Sequence, residues 1–152
     1  MADTASATTG EINYLNHYRK LVRAAPVTEN PYPNLSKDLS AHARYLLNNY
    51  PNELRGSTLQ EKGQSEDSTN RWYSRESARV APYGIAVYSA GPEKEGWAVD
   101  KLMVNPIQRL QLLDPATTNI GYGEYCEQGE CAGVFTISSD ILGKLYWSSR
   151  LN

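Results

Sequence analysis

The chain predicts an α+β fold, with helices packed on an antiparallel sheet. Three observations carry that prediction. Leu35, Leu39, His42 and Leu46 recur at helical spacing in the first third, the pattern of an amphipathic helix. Residues 119–125 and 132–138 read as strands on either side of the glycine-containing segment YCEQGECAG, a hairpin signature. Helical patterns also come mostly before strand patterns, rather than alternating with them as in a parallel doubly wound sheet.

The elements follow in order. The first ten residues, MADTASATTG, are small and polar; they lack the basic start and apolar stretch of a secretory leader and are expected to be a flexible segment. Glu11 to Ala24 reads as a helix, with Ile12, Leu15, Arg19 and Val22 on one face. Three prolines make residues 25–34 an extended loop. A second helix begins near Asn34 or Ser36 and ends at Pro51, since proline lacks the N–H a helix interior needs. Residues 52–71 read as one long polar loop, a length that is often functional. A short helix over Ser74 to Val80, a strand over Tyr83 to Ser89 and a third main helix over Glu95 to Val104 come next. Pro106 should break that helix, leaving a short helical turn at Arg109 to Leu113 before the hairpin, and Lys144 to Trp147 is a candidate last strand. The sheet is expected to have three antiparallel strands, and residues 11–152 to form a single domain.

Composition narrows the function. The 152 residues are 40% hydrophobic and 21% charged, as in soluble globular proteins, and no apolar run approaches the ~20 residues of a membrane helix. A net charge of −2 without a basic stripe argues against a nucleic-acid partner. Cys126 and Cys131 have four residues between them; a hairpin would bring the thiols together, and a disulfide closing so short a loop contributes on the order of 2 kcal/mol. The expected setting is then extracellular or the cell envelope; the alternative is two free thiols in a reducing cell. The pair alone makes a poor zinc site, which needs about four ligands. Eleven tyrosines against one phenylalanine suit half-buried packing and wet clefts.

Candidates for chemistry are few. His17 falls off the apolar face of the first helix; His42 falls on the apolar face of the second, as a hydrogen-bonded core histidine or as a base facing a cleft. No nucleophile elbow, P-loop or dinucleotide fingerprint occurs. Glu66 and Asp67 in GQSED and Glu76 in WYSRES are carboxylates that could serve acid–base chemistry if burial separated their pKa values.

The ordered motifs LNHYR (15–19), PV (26–27), LSKDLSAHARYL (35–46), GQSEDSTN (63–70), AVDKLMVNPIQRLQLLDP (98–115) and NIGYGEYC (119–126) resemble the CAP superfamily (cysteine-rich secretory proteins, antigen five and pathogenesis-related proteins; the SCP-like extracellular domain), its bacterial branch above all. The resemblance covers residues 11–137 and implies an α-β-α sandwich, with helices on both faces of the sheet, in a secreted protein. It also implies a cleft that in many members holds two histidines, acidic residues and a divalent metal such as zinc. Here the position before Arg109 is Gln108 and the matching loop position is Gln64, so both expected histidines are glutamines, which are feeble zinc ligands. Leu102 stands where the family often has tryptophan, and Asn105 where some members have glutamate. Glu66 and Glu76 remain as the acidic candidates.

Two functions therefore compete: a non-catalytic binding module whose cleft of Gln64, Glu66, Glu76, Gln108 and Arg109 has no cofactor and takes a small polar or lipid ligand, and a hydrolase of peptide or cell-wall material with Glu66 or Glu76 as general base and Arg109 as electrostatic stabiliser. A Tyr-rich surface for a protein partner is a third.

Overall fold

The structure is a computed structural model and describes residues 4–91 and 94–138. It is α+β. Helix α1 (Thr4–Leu21) leads into a two-residue strand β1 (Thr28–Glu29). Helices α2 (Leu35–Asn49), α3 (Pro51–Arg55) and α4 (Arg75–Val80) follow, then strand β2 (Ile85–Ala90). Helices α5 (Trp97–Met103) and α6 (Pro106–Leu113) precede the hairpin of β3 (Asn119–Glu127) and β4 (Glu130–Ser138).

The sheet order is β1-β3-β4-β2. The three strands expected from the sequence are antiparallel as expected, and a fourth, β1, adds a parallel edge beside β3. Two cores lie on the two faces. Leu15, Val87, Trp97, Leu102, Tyr122 and Phe135 belong to one; Leu35, Leu39, Tyr45, Leu46, Ala132 and Val134 belong to the other. Strand β4 thus sends alternate side chains into each core. Burial on both faces explains why CAGVFT is nearly continuously buried rather than alternating between apolar and polar. Helices α1 and α5 cover one face and α2 the other.

The hairpin turns on Gln128 (φ 50°) and Gly129 (φ 81°), the left-handed pair of a two-residue turn that suits strand twist. It sets Cys126 opposite Cys131, and the two form a disulfide. Gly123 lets α2 lie directly on β3: a Cβ there would collide with the backbone of Ser36 and Ser40.

Several boundaries differ from those read in the sequence. Residues 4–10, expected to be flexible, are the first turns of α1, where the Thr8 hydroxyl donates to the Tyr122 carbonyl (3.0 Å). Val22, placed on the apolar face, lies beyond the helix end and is exposed. The long loop at 52–71 contains most of α3 and a 3-10 turn at Gln60–Gln64. Pro106 does not leave only a short turn after it: it starts α6. The Asn105 side chain accepts from the N–H groups of Ile107 and Gln108 (3.0 and 3.3 Å), and proline is favoured at a first helical position, where its missing N–H costs nothing. The strand expected at Lys144 to Trp147 lies outside the described residues.

Candidate functional site

A cleft of about 930 Å³ opens along β2. One wall is the segment from Leu54 to Gln64, carrying Arg55, Ser57 and Gln60; the other is the junction of α5 and α6, from Lys101 to Gln108. Gln64 and Gln108, the residues at the two implied histidine positions, both line this cleft. Gln64 ends the 3-10 turn; Gln108 sits in the first turn of α6, half-buried, while its neighbours Ile107 and Leu110 face outward, about 70% exposed.

The other sequence candidates are placed elsewhere. The Glu66 side chain is fully buried behind the cleft. Its Oε1 lies 2.8 Å from Nδ1 of His42; its Oε2 accepts from the Ser77 hydroxyl (2.9 Å) and the Ser74 N–H (3.3 Å). His42, fully buried and stacked on Tyr45, has Nε2 2.8 Å from the Gly63 carbonyl. That carbonyl only accepts, so Nε2 carries a proton. His42 and Glu66 thus form an internal tie that holds residues 63–66 to α2 and α4. Glu76 is exposed in the first turn of α4, outside the cleft lining; its charge adds to the burial that raises the Asp38 carboxyl. Arg109 is exposed and also outside the lining.

The cleft's own charges come from residues the sequence reading passed over. Arg55 donates twice to Glu130 (2.6 and 2.8 Å), and the Tyr88 hydroxyl donates to the same carboxylate (2.6 Å). Those bonds pull the Glu130 carboxyl down to about 2, Arg55 being the larger cause. Lys101 is exposed on the opposite wall. Among the described residues, no aspartate or glutamate lines the cleft. Nothing in a linear sequence marks Arg55 and Lys101 as facing one space; only the sheet order places them on either side of β2.

The donor set does not fit the zinc that the resemblance implies. Both nitrogens of His42 and both oxygens of Glu66 are engaged internally, and the cleft offers amides in place of imidazoles. Among the described residues, no three of His, Cys, Asp and Glu cluster as metal ligands. Nor is any described helix long and apolar enough to cross a membrane. Among the described tyrosines only Tyr73 is exposed, so the aromatic rings serve packing.

No family model matches the chain, and no curated protein matches it. Among solved structures it is similar to a cysteine-rich secretory protein from Staphylococcus aureus subsp. aureus Mu50, at 13% identity and a TM-score of 0.37, over 85% of this chain. The chain spans about 38% of that protein's length.

Proposed function

We propose that the chain is a secreted, CAP-like, non-catalytic binding module whose cleft takes a polar or amphipathic ligand without a metal. The observation that carries this reading is the pair of glutamines, Gln64 and Gln108, on the two walls of one cleft. Each amide offers donors and acceptors that do not titrate, so such a cleft recognises by hydrogen bonding over a wide pH range. The disulfide at Cys126–Cys131 supports an extracellular or cell-envelope setting.

The hydrolase reading draws no support from the geometry. A general base must come within hydrogen-bond reach of the proton it takes; Glu66 spends both oxygens internally, and Glu76 and Arg109 stand outside the cleft.

The test is titration calorimetry with N-acetylglucosamine tetramer, with phosphatidylglycerol vesicles and with the peptides introduced below. Saturable binding of one probe class, weakened about tenfold by Gln64→Ala or Gln108→Ala through loss of one or two hydrogen bonds, is expected. Silence towards every class, or binding indifferent to both substitutions, overturns the reading. In parallel, zinc titration should be silent for the native protein; tight zinc binding there would return the metal to the site.

A further inference from the structure

Among the described residues, the cleft contains an open sheet edge. Strand β2 is the last strand of the order β1-β3-β4-β2, and all six of its residues, Ile85 to Ala90, line the cleft. The hairpin register decides which backbone groups face it. A two-residue turn makes Glu127 and Glu130 a hydrogen-bonded pair, and such pairs alternate along an antiparallel ladder. In β4, therefore, Cys131, Gly133 and Phe135 direct their N–H and C=O towards β2. Their partners are Ser89, Val87 and Ile85, which must face inward. The bond from the Gly91 N–H to the Gly129 carbonyl (2.9 Å) continues the same odd-numbered parity. Ala86, Tyr88 and Ala90 are left with their N–H and C=O groups turned outward, into the cleft.

We infer that the cleft binds an extended peptide segment, carrying an acidic side chain, which adds to the sheet as a fifth strand along β2. The inference rests on the cleft being a ligand site and names the ligand's class. A strand of six residues spans ~20 Å and would satisfy the open backbone groups in the manner of strand addition, where main-chain bonds supply affinity and flanking walls read alternate side chains. The two walls suit that pattern. Ala86 and Tyr88 pack towards the core containing Leu54, and Ile85 and Val87 towards the core containing Leu102. Successive side chains of a paired strand would therefore meet the Arg55–Gln64 wall and the Lys101–Gln108 wall in turn. Among the described residues, two cations and no carboxylate line the cleft, and Arg55 is already matched by Glu130; Lys101 is the cation that selects an acidic residue.

The test uses a panel of fluorescein-labelled, acetylated and amidated hexapeptides of alternating valine and threonine, with one glutamate moved through each position, read by fluorescence anisotropy. At least one member should bind saturably. N-methylation of its amides in turn should weaken binding about tenfold at every second position, each a lost hydrogen bond, and leave the positions between unchanged. Ala90→Pro, which removes an outward N–H at the exposed strand end without touching the β4 ladder, should weaken binding, and Ala90→Val should not. Lys101→Gln should weaken the glutamate peptide and not its glutamine version. Absence of peptide binding, methylation effects without alternation, or a protein that sediments as a β2-paired dimer would each overturn strand addition. Saccharide or vesicle binding dependent on Gln64 or Gln108 would in those cases leave the broader reading standing.

Discussion

At the scale of single residues, His42 shows how far a sequence carries. Its place on the apolar face of α2 is legible from periodicity, and a buried, hydrogen-bonded histidine is the ordinary outcome there. Its partner is not legible, because Glu66 lies in a polar stretch where carboxylates are usually solvated. Likewise Arg19 stands on the apolar face of α1, but of the carbonyls its buried guanidinium donates to, those of Ala25, Leu112, Asp114 and Thr117 (2.6–3.1 Å), the last three come from far along the chain. Glu66→Ala should therefore act as a structural lesion. It leaves Nδ1 of His42 and the Ser74 N–H without their partner, and an unmet buried polar group costs about 1–3 kcal/mol. Urea denaturation should show that loss; a change under 1 kcal/mol would mean that the tie carries no weight in the fold.

Among the elements, α2 and the β3–β4 hairpin are the most legible, because each carries its own signal: a helical apolar stripe for one, turn glycine and flanking strands for the other. Helix α6 is the least. Proline reads as a breaker, and its opposite role at a helix start depends on the Asn105 side chain capping the turn, a matter of local geometry. Strand β1 is two residues long, too short for any alternation to register. The way α2 sits on β3 is visible only through glycine spacing in IGYG. Gly123→Ala should force Ser36 and Ser40 of α2 away from the strand, at a cost of about 1–3 kcal/mol as overpacking, seen as a lower melting temperature. Gly129→Ala, where nothing lies within 4 Å of the added carbon, should cost only the strain of its positive φ, about 1 kcal/mol. Equal losses at the two sites would show that α2 yields freely.

For the molecule as a whole, the first helix is joined to α5 by the bonds from Tyr14 and Tyr18 to Asp100 and by the Glu11 carboxylate. Helix α5 has Gly96 at its N-cap and so has no capping side chain of its own. Glu11 of α1 fills that role, accepting from the N–H groups of Val99 (3.0 Å), Gly96 (3.2 Å) and Ala98 (3.5 Å). Burial pushes its carboxyl up, the N–H bonds pull it down, the nearby Glu124 charge pushes it up again, and the balance stands at about 7. Raising a carboxyl's folded pKa above the unfolded value, 4.5 here, means that the folded state holds its proton longer than the unfolded chain does. Stability from this group is then fully present below about pH 4.5 and falls as pH rises towards 7, by on the order of 3 kcal/mol across the window. Glu130 and Asp67, whose carboxyls are lowered, act in the opposite sense and only on the acid side of that range. Urea midpoints for the native protein should therefore decline between pH 4.5 and 7 and level off above it. Glu11→Gln keeps an oxygen for the α5 N–H groups but cannot ionise, so its midpoints should fall far less through the same interval, by no more than the raised Asp38 carboxyl contributes, and exceed those of the native protein at pH 8. Parallel pH profiles for the two proteins would mean that Glu11 is already ionised in the folded state, held there by the α5 N-terminus, and that the helix end outweighs burial.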